Sequence, residues 1–211
     1  MLLPDRDCPL CPRLRAFREE NRARFPEWHN APVPPFGSAL APVLIVGLAP
    51  GLRGANRTGR PFTGDFAGEL LFATLRKYRL AAGEYARVGD DGLRLTGCRI
   101  TNAVRCVPPL NRPTPAERRT CGACLREEIA ALPRLEAVIA LGRLAHDAVL
   151  AALDLPRARF PFTHGTLHRP AGGPLLADSY HCSRQNTNTG RLTAAMFETV
   201  FARLLDALPS P

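Results

Sequence analysis

Three stretches of this 211-residue chain read as apolar runs: Val43-Leu44-Ile45-Val46-Gly47, Ala137 to Gly142, and Cys98 to Val104, the last broken by Arg99, Thr101 and Asn102. A strand with one wet face alternates apolar and polar residues, whereas a continuous apolar run of this length marks a strand covered on both faces. A fourth strand is expected near Leu175 to Tyr180. Between and around the runs lie segments of helical composition: about Pro12 to Arg24, Phe66 to Tyr78, Pro115 to Leu132, Leu144 to Leu153, and an amphipathic closing segment from Thr193 to Leu208. The third is announced by Thr114 as N-cap, Pro115 in the first turn, and Glu117 completing a Thr-x-x-Glu capping box. The proline-rich Ala31 to Gly37 is too donor-poor for core structure and reads as a connector.

Doubly covered strands alternating with helices predict an α/β fold with a parallel or mostly parallel central sheet. No internal repeat and no second domain is apparent, so residues 1–211 are expected to form one unit. In such folds ligands bind beyond the carboxyl ends of the strands. Three loops should therefore converge: Leu48 to Asp65, Asn102 to Asn111, and His181 to Arg191.

Charge sharpens the choice of partner. The formal net charge is +9, which points to an acidic partner, of which nucleic acid is the commonest. Lys77 is the sole lysine. The basic surface is therefore nearly all arginine, whose planar fork donates two parallel hydrogen bonds to phosphate. A merely solvated surface, or a bias in the coding DNA, would give the same count. No apolar run approaches the roughly 18 residues of a membrane span. Without a basic leader or apolar signal segment, and with several free thiols, the chain is expected in a reducing cytoplasm.

Seven cysteines suggest a metal. Cys8-Pro-Leu-Cys11 forms a tight pair, and Cys106 and Cys121 lie beside proline-rich or charged, turn-prone sequence. A Cys-x-x-Cys turn with two further thiols commonly closes a four-thiolate shell around zinc or an iron–sulfur cluster. Cys121-Gly-Ala-Cys124 is a second Cys-x-x-Cys, so composition also permits a rival zinc-ribbon-like set of Cys8, Cys11, Cys121 and Cys124. Cys98 reads as a small core residue.

The remaining polar motifs sit on the converging loops. Gly47-Leu-Ala-Pro-Gly51 has small residues that admit close backbone approach to a ligand, yet lacks the spacing of a P-loop or dinucleotide fingerprint. Asn56 to Asp65 carries Phe62 among glycines and a carboxylate at an expected helix start. Phe62 reads as a packing anchor or as a platform for a planar base. Asn102 closes a buried strand, where its amide must find partners inside the protein or on a base edge. His181 opens a loop of hydrogen-bonding side chains between Arg184 and Arg191 that suits phosphate contacts.

Taken together and in order, these segments resemble the uracil-DNA glycosylase superfamily, most closely its type 5 (b-type) iron–sulfur branch. The resemblance runs from Cys8-Pro-x-Cys11 through Gly47 to Gly51, Asn56 to Asp65 and Thr101 to Cys106, to Tyr180 through Leu192. It implies a three-layer α/β/α fold and a [4Fe–4S] cluster on Cys8, Cys11, Cys106 and Cys121. It implies a monomeric DNA repair enzyme that flips uracil, and other deaminated bases such as hypoxanthine and xanthine, from single- or double-stranded DNA and hydrolyses the N-glycosidic bond. Asp65 and His181 would be catalytic, and Phe62, Asn102, Gly47, Ala49 and Gly51 would bind the base. Arg184, Gln185, Asn186 and Arg191 would contact DNA, some residues of that loop filling the gap left in the stack. The apolar Leu48-Ala49-Pro50 matches the type 5 branch, because many relatives carry a water-holding Asp, Asn or Glu there. The rival readings are a type 4-like glycosylase restricted mainly to uracil and a non-catalytic damaged-DNA-binding module.

Overall fold

A computed structural model describes residues 4–209. In chain order its elements are α1 (Pro12–Arg24), β1 (Val43–Gly47), α2 (Ala55–Thr58), α3 (Phe66–Lys77), β2 (Ala81–Ala82), β3 (Arg94–Leu95), β4 (Cys98–Asn102), α4 (Pro115–Ala130), β5 (Ala137–Leu141), α5 (Arg143–Ala152), β6 (Leu167–His168), β7 (Leu175–Ser179), α6 (Arg184–Asn188) and α7 (Ala194–Ala207). The main sheet runs β4-β1-β5-β7-β6. Its first four strands are parallel and β6 is an antiparallel edge strand.

Every residue of β1, β4 and β5 is buried, as doubly covered strands require, although in β4 that includes the polar Arg99, Thr101 and Asn102. Even neighbours along a strand face opposite layers. Val43 and Ile45 point into a core with Leu71, Phe72 and Phe201 from α3 and α7. Leu44 and Val46 point the other way, toward Leu125, Val149 and Leu150 from α4 and α5. The result is a three-layer α/β/α unit.

The capping box at α4 forms in full: Glu117 N donates to Thr114 Oγ1 at 3.2 Å, and Thr114 N to Glu117 Oε2 at 2.7 Å. The sequence did not foretell the two-residue hairpin β2–β3, edge strand β6, or the short helices α2 and α6. Such short pieces carry too few residues for a period to register.

At the end of β4, Glu128 of α4 is fully buried and accepts from Arg99 Nε at 2.7 Å, from Thr101 Oγ1 at 2.8 Å, and from Arg105. Two guanidiniums and one carboxylate thus pin the strand end that carries Asn102 and leads to Cys106. No helix among the described residues is long and apolar enough to cross a membrane.

Candidate active site

All three expected loops meet at one cleft of about 620 Å³ beyond the carboxyl ends of β1 and β4. Its walls include Leu48, Ala49, Pro50 and Gly51 from the first loop, Asn102 from β4, and His181, Arg184 and Gln185 from the last loop. Phe62 and Asp65 close the remaining side. Gly47 lies behind this wall, and its role there is steric. A Cβ on Gly47 would stand 2.4 Å from Asn102 Oδ1 and 2.6 Å from the Phe62 ring. Only a glycine lets the amide and the ring converge.

Asp65 is the N-cap of α3, its Oδ1 accepting from Ala67 N at 3.1 Å. The other oxygen, Oδ2, lies against Gly51 and Gly54, where added Cβ atoms would approach it to 2.9 and 2.4 Å. Burial raises the Asp65 carboxyl above its ordinary range, although the Gly68 and Ala67 amides oppose that shift. A carboxylate so placed binds a proton more readily than one in water.

Phe62 has left-handed backbone, φ 57°. Its loop is braced by Arg60, whose fork donates to both oxygens of Asp91 at 2.7 Å and holds that carboxyl down to about 2. Tyr85 Oη adds a hydrogen bond from Gly64 N at 3.2 Å. The Phe62 and His181 ring centroids are 5.8 Å apart, with the rings inclined at 26°. A base between them would need about 7 Å, twice a van der Waals contact. A base stacked on Phe62 therefore meets His181 at its edge.

Desolvation pushes the His181 imidazole down to about 4. At neutral pH it is a neutral ring with one N–H to donate. Asn102 is 3% exposed, and among the described residues its amide has no hydrogen-bond partner. An amide on a cleft wall with no partner inside the protein is free to hydrogen-bond a ligand edge.

The four expected DNA contacts divide. Arg184 and Gln185 line the cleft, with the Arg184 guanidinium 5.3 Å over the Phe66 ring. Asn186 spends its amide on the His181 carbonyl at 2.8 Å and so holds the histidine in place. Arg191 lies outside the cleft wall, stacked 4.5 Å over Tyr180. Sequence reasoning did not single out Leu110, Arg112 or Ser183, which also line the cleft. The run Pro108-Pro109 with Pro113 was the available sign of a fixed, protruding turn there.

His146, His168 and Asp178 form another cluster that sequence reasoning missed. Asp178 Oδ1 is 2.6 Å from His146 Nδ1 and Oδ2 is 2.9 Å from His168 Nε2, all three buried. His146 Nε2 also reaches Phe160 O at 2.9 Å. The cluster ties α5 and β6 to β7 just upstream of His181.

At the foot of α1, the thiols of Cys8, Cys11, Cys106, Cys121 and Cys124 line one small cavity. None of the seven cysteines is in a disulfide. Cys98 is a buried core residue, as expected. Arg18, 2% exposed, donates to Cys106 Sγ at 3.5 Å and to the Cys8 carbonyl at 3.0 Å. Its Nε has no partner and no carboxylate pairs with it among the described residues. Arg105 N donates to Cys121 Sγ at 3.3 Å. A buried guanidinium aimed at sulfur needs negative charge there, which thiolates bound to metal supply. No three of the described thiols lie within 4.8 Å of one another. The donor set thus fits an anionic thiolate centre.

Residues 34–205 match the family model for the uracil DNA glycosylase superfamily. The chain belongs to that superfamily. Among curated relatives it is 49% identical over 196 residues to a type-5 uracil-DNA glycosylase of Thermus thermophilus, covering 90% of this chain and 89% of that protein. A type-5 enzyme of Pyrobaculum aerophilum is 44% identical over 93% of this chain and 87% of its own. By contrast, a type-4 enzyme of Archaeoglobus fulgidus is 36% identical over 58% of this chain and 54% of its own. The similarity therefore follows the type-5 branch.

Proposed function

We propose that this protein is a DNA repair glycosylase that excises uracil from DNA by flipping the nucleotide into the cleft and hydrolysing its N-glycosidic bond. One observation carries the reading: an Asn102 amide with no hydrogen-bond partner among the described residues lines the same cleft as Phe62, Asp65 and a neutral His181. Phe62 stacks on the extruded base. Asn102 pairs with its Watson–Crick edge, where uracil and cytosine present opposite donor and acceptor patterns.

As the C1′–N bond breaks, its electron pair stays with the base and negative charge grows on the base carbonyl. His181 donates its N–H at that edge, a contact that strengthens in the transition state. Asp65 orients the attacking water, stabilises the cationic sugar, and receives a proton as the new C1′–O bond forms. Arg184 and Gln185 hold the strand at the rim.

Other deaminated bases, hypoxanthine and xanthine, are substrates on the same reading. They too leave with a carbonyl that accepts charge, and the apolar Leu48-Ala49-Pro50 wall makes no selective polar contact. Cys8, Cys11, Cys106 and Cys121 would hold a [4Fe–4S] cluster. Its contribution is structural, joining the N-terminal arm to the segment after β4, while Arg18 balances its charge.

The test is purified protein with duplexes carrying uracil, hypoxanthine or xanthine, treated with alkali to cut abasic sites. Strand cuts at all three support the full reading. Cuts at uracil alone confine it to the narrow range, and no cuts refute it.

A further inference from the structure

We propose that the groove between α4 and α5 is a docking site for an acidic segment of another protein, one that carries apolar side chains among its carboxylates. The groove encloses about 540 Å³ and shares no lining residue with the cleft of Phe62, Asn102 and His181.

Helical spacing builds its walls. On α4, Arg118, Arg119, Gly122, Ala123 and Arg126 recur at intervals of three and four, so they form one stripe along the helix. On α5, Leu144, Ala148 and Ala151 do the same, and Arg157 closes one end. Gly122 and Ala148 are half-buried, whereas Arg119, Arg126 and Arg157 are exposed. The floor is therefore small and apolar, and the rim is arginine.

Elsewhere the arginine forks are committed to carboxylates: Arg13 to Glu117, Arg60 to Asp91, and Arg99 and Arg105 to Glu128. In the groove most are not. Arg118 and Arg119 form no ion pair among the described residues, and Arg118 Nε is shut off from water without a hydrogen-bond partner. Arg157 and its neighbour Arg143 share a single carboxylate, Asp147, at 3.8 and 3.7 Å, close to the outer limit of an ion pair. Arg126 alone is engaged, by Asp154 Oδ1 at 2.9 Å and Ala151 O at 2.7 Å. The lining side chains thus include Arg118, Arg119, Arg126 and Arg157 against the lone carboxylate of Asp147.

That excess calls for an anionic occupant, and the floor decides which kind. Leu144 is 38% exposed beside the alanines, so apolar contact is on offer together with charge. A phosphate backbone would use the arginines and leave the floor idle, and no aromatic ring lines the groove to stack a base. A second copy of the chain is opposed by its own net charge of +9. An acidic segment with leucine-like side chains satisfies both parts, carboxylates on the arginine forks and apolar groups on the floor. The volume falls within the range of about 300–1,000 Å³ for sites that enclose small ligands, which suits a few side chains of a segment and not a flat protein face. A partner held there leaves the cleft open to DNA.

Fluorescence anisotropy with the whole protein tests this. The probe is a labelled synthetic peptide of aspartates interspersed with leucines. One control replaces its leucines by serine, and another replaces its aspartates by lysine. Wild type should bind the probe about tenfold or more tighter than either control, and the binding should weaken as salt rises. Arg119→Glu/Arg157→Glu should weaken it by about tenfold or more, because like charges then face each other. Ala148→Glu, which sets a carboxylate on the floor, should act likewise. Both variants should keep the wild-type thermal unfolding midpoint and wild-type uracil excision. No binding of the probe to wild type overturns the proposal. So does equal binding of the serine control, or wild-type affinity in both variants. Variants that lose affinity for undamaged duplex DNA while keeping that for the peptide would assign the groove to nucleic acid instead. The peptide measurements do not depend on excision, so they decide the matter whatever substrate the cleft takes.

Discussion

Gly47→Ala tests the geometry of the pocket floor with one methyl group. Gly47 closes β1 in ordinary strand conformation, so alanine is no strain on the backbone there. The steric demand is severe. The new Cβ would lie 2.4 Å from Asn102 Oδ1 and 2.6 and 2.8 Å from two atoms of the Phe62 ring. Relief to an ordinary contact of about 3.5 Å requires the amide and the ring to retreat by about 1 Å. Phe62 cannot retreat freely, because its left-handed loop is locked through Arg60 and Asp91. A displacement of that size at reacting groups costs about 100-fold in rate, or about 2.7 kcal/mol of barrier. Overpacking should lower unfolding free energy by about 1–3 kcal/mol. Single-turnover excision of uracil, alongside urea denaturation, separates the two effects. A folded Gly47→Ala protein with wild-type excision would refute the argument, because the base would then not be held by Asn102 and Phe62 as placed.

Glu128→Ala strands Arg99 and Arg105 without their buried carboxylate, and should cost about 3–5 kcal/mol in denaturant unfolding. On the proposed cluster, Cys106→Ser should lower iron content and soluble yield, while Cys124→Ser should leave iron content and a broad visible absorption at the wild-type level; stoichiometric zinc in colourless wild type would reverse the ligand choice. His181 takes a proton near 6.5 when unfolded but only at about 4 when folded. Its contribution to stability is therefore complete above 6.5 and drains as pH falls toward 4. His181→Gln should flatten that part of the stability–pH curve and slow excision of every base. Arg184→Ala should weaken DNA binding and its salt dependence. Arg191→Ala should do so less, since that guanidinium rests on Tyr180 away from the cleft.

The architecture was legible because long periodic signals agree with one another. The limits of α1 and β1 and the cap of α4 follow from proline, glycine and the Thr-x-x-Glu box, and the structure keeps them. Phe62, Asp65, Asn102 and His181 were legible as a group because the loops that follow parallel strands must meet at one edge of the sheet. What the sequence concealed depends on partners distant in the chain. Nothing local says that Asn186 is committed to the His181 carbonyl, that Arg60 is a brace to Asp91, or that Arg18 is buried against Cys106. His146, His168 and Asp178 escaped notice for the same reason: three elements bring them together, and no spacing pattern joins them.

Backbone strain was equally hidden, and its location is informative. Phe62, Leu110 and Asn111 adopt left-handed conformations around the cleft without being glycine. Each such residue costs about 1–3 kcal/mol, so selection for stability alone would place glycine there. Glycine would remove the ring at 62 and the leucine at 110, the groups that face the cleft. The strain is offset by contacts outside the cleft: Arg60 with Asp91 for one loop, and Arg13 with Glu117 and the Arg112 carbonyl for the other. Both braces are arginine forks on carboxylates, which fix direction more tightly than apolar packing does. The cleft therefore holds the Phe62 ring and its rim leucine in position without a ligand, so a base or strand entering it as proposed would meet little ordering cost.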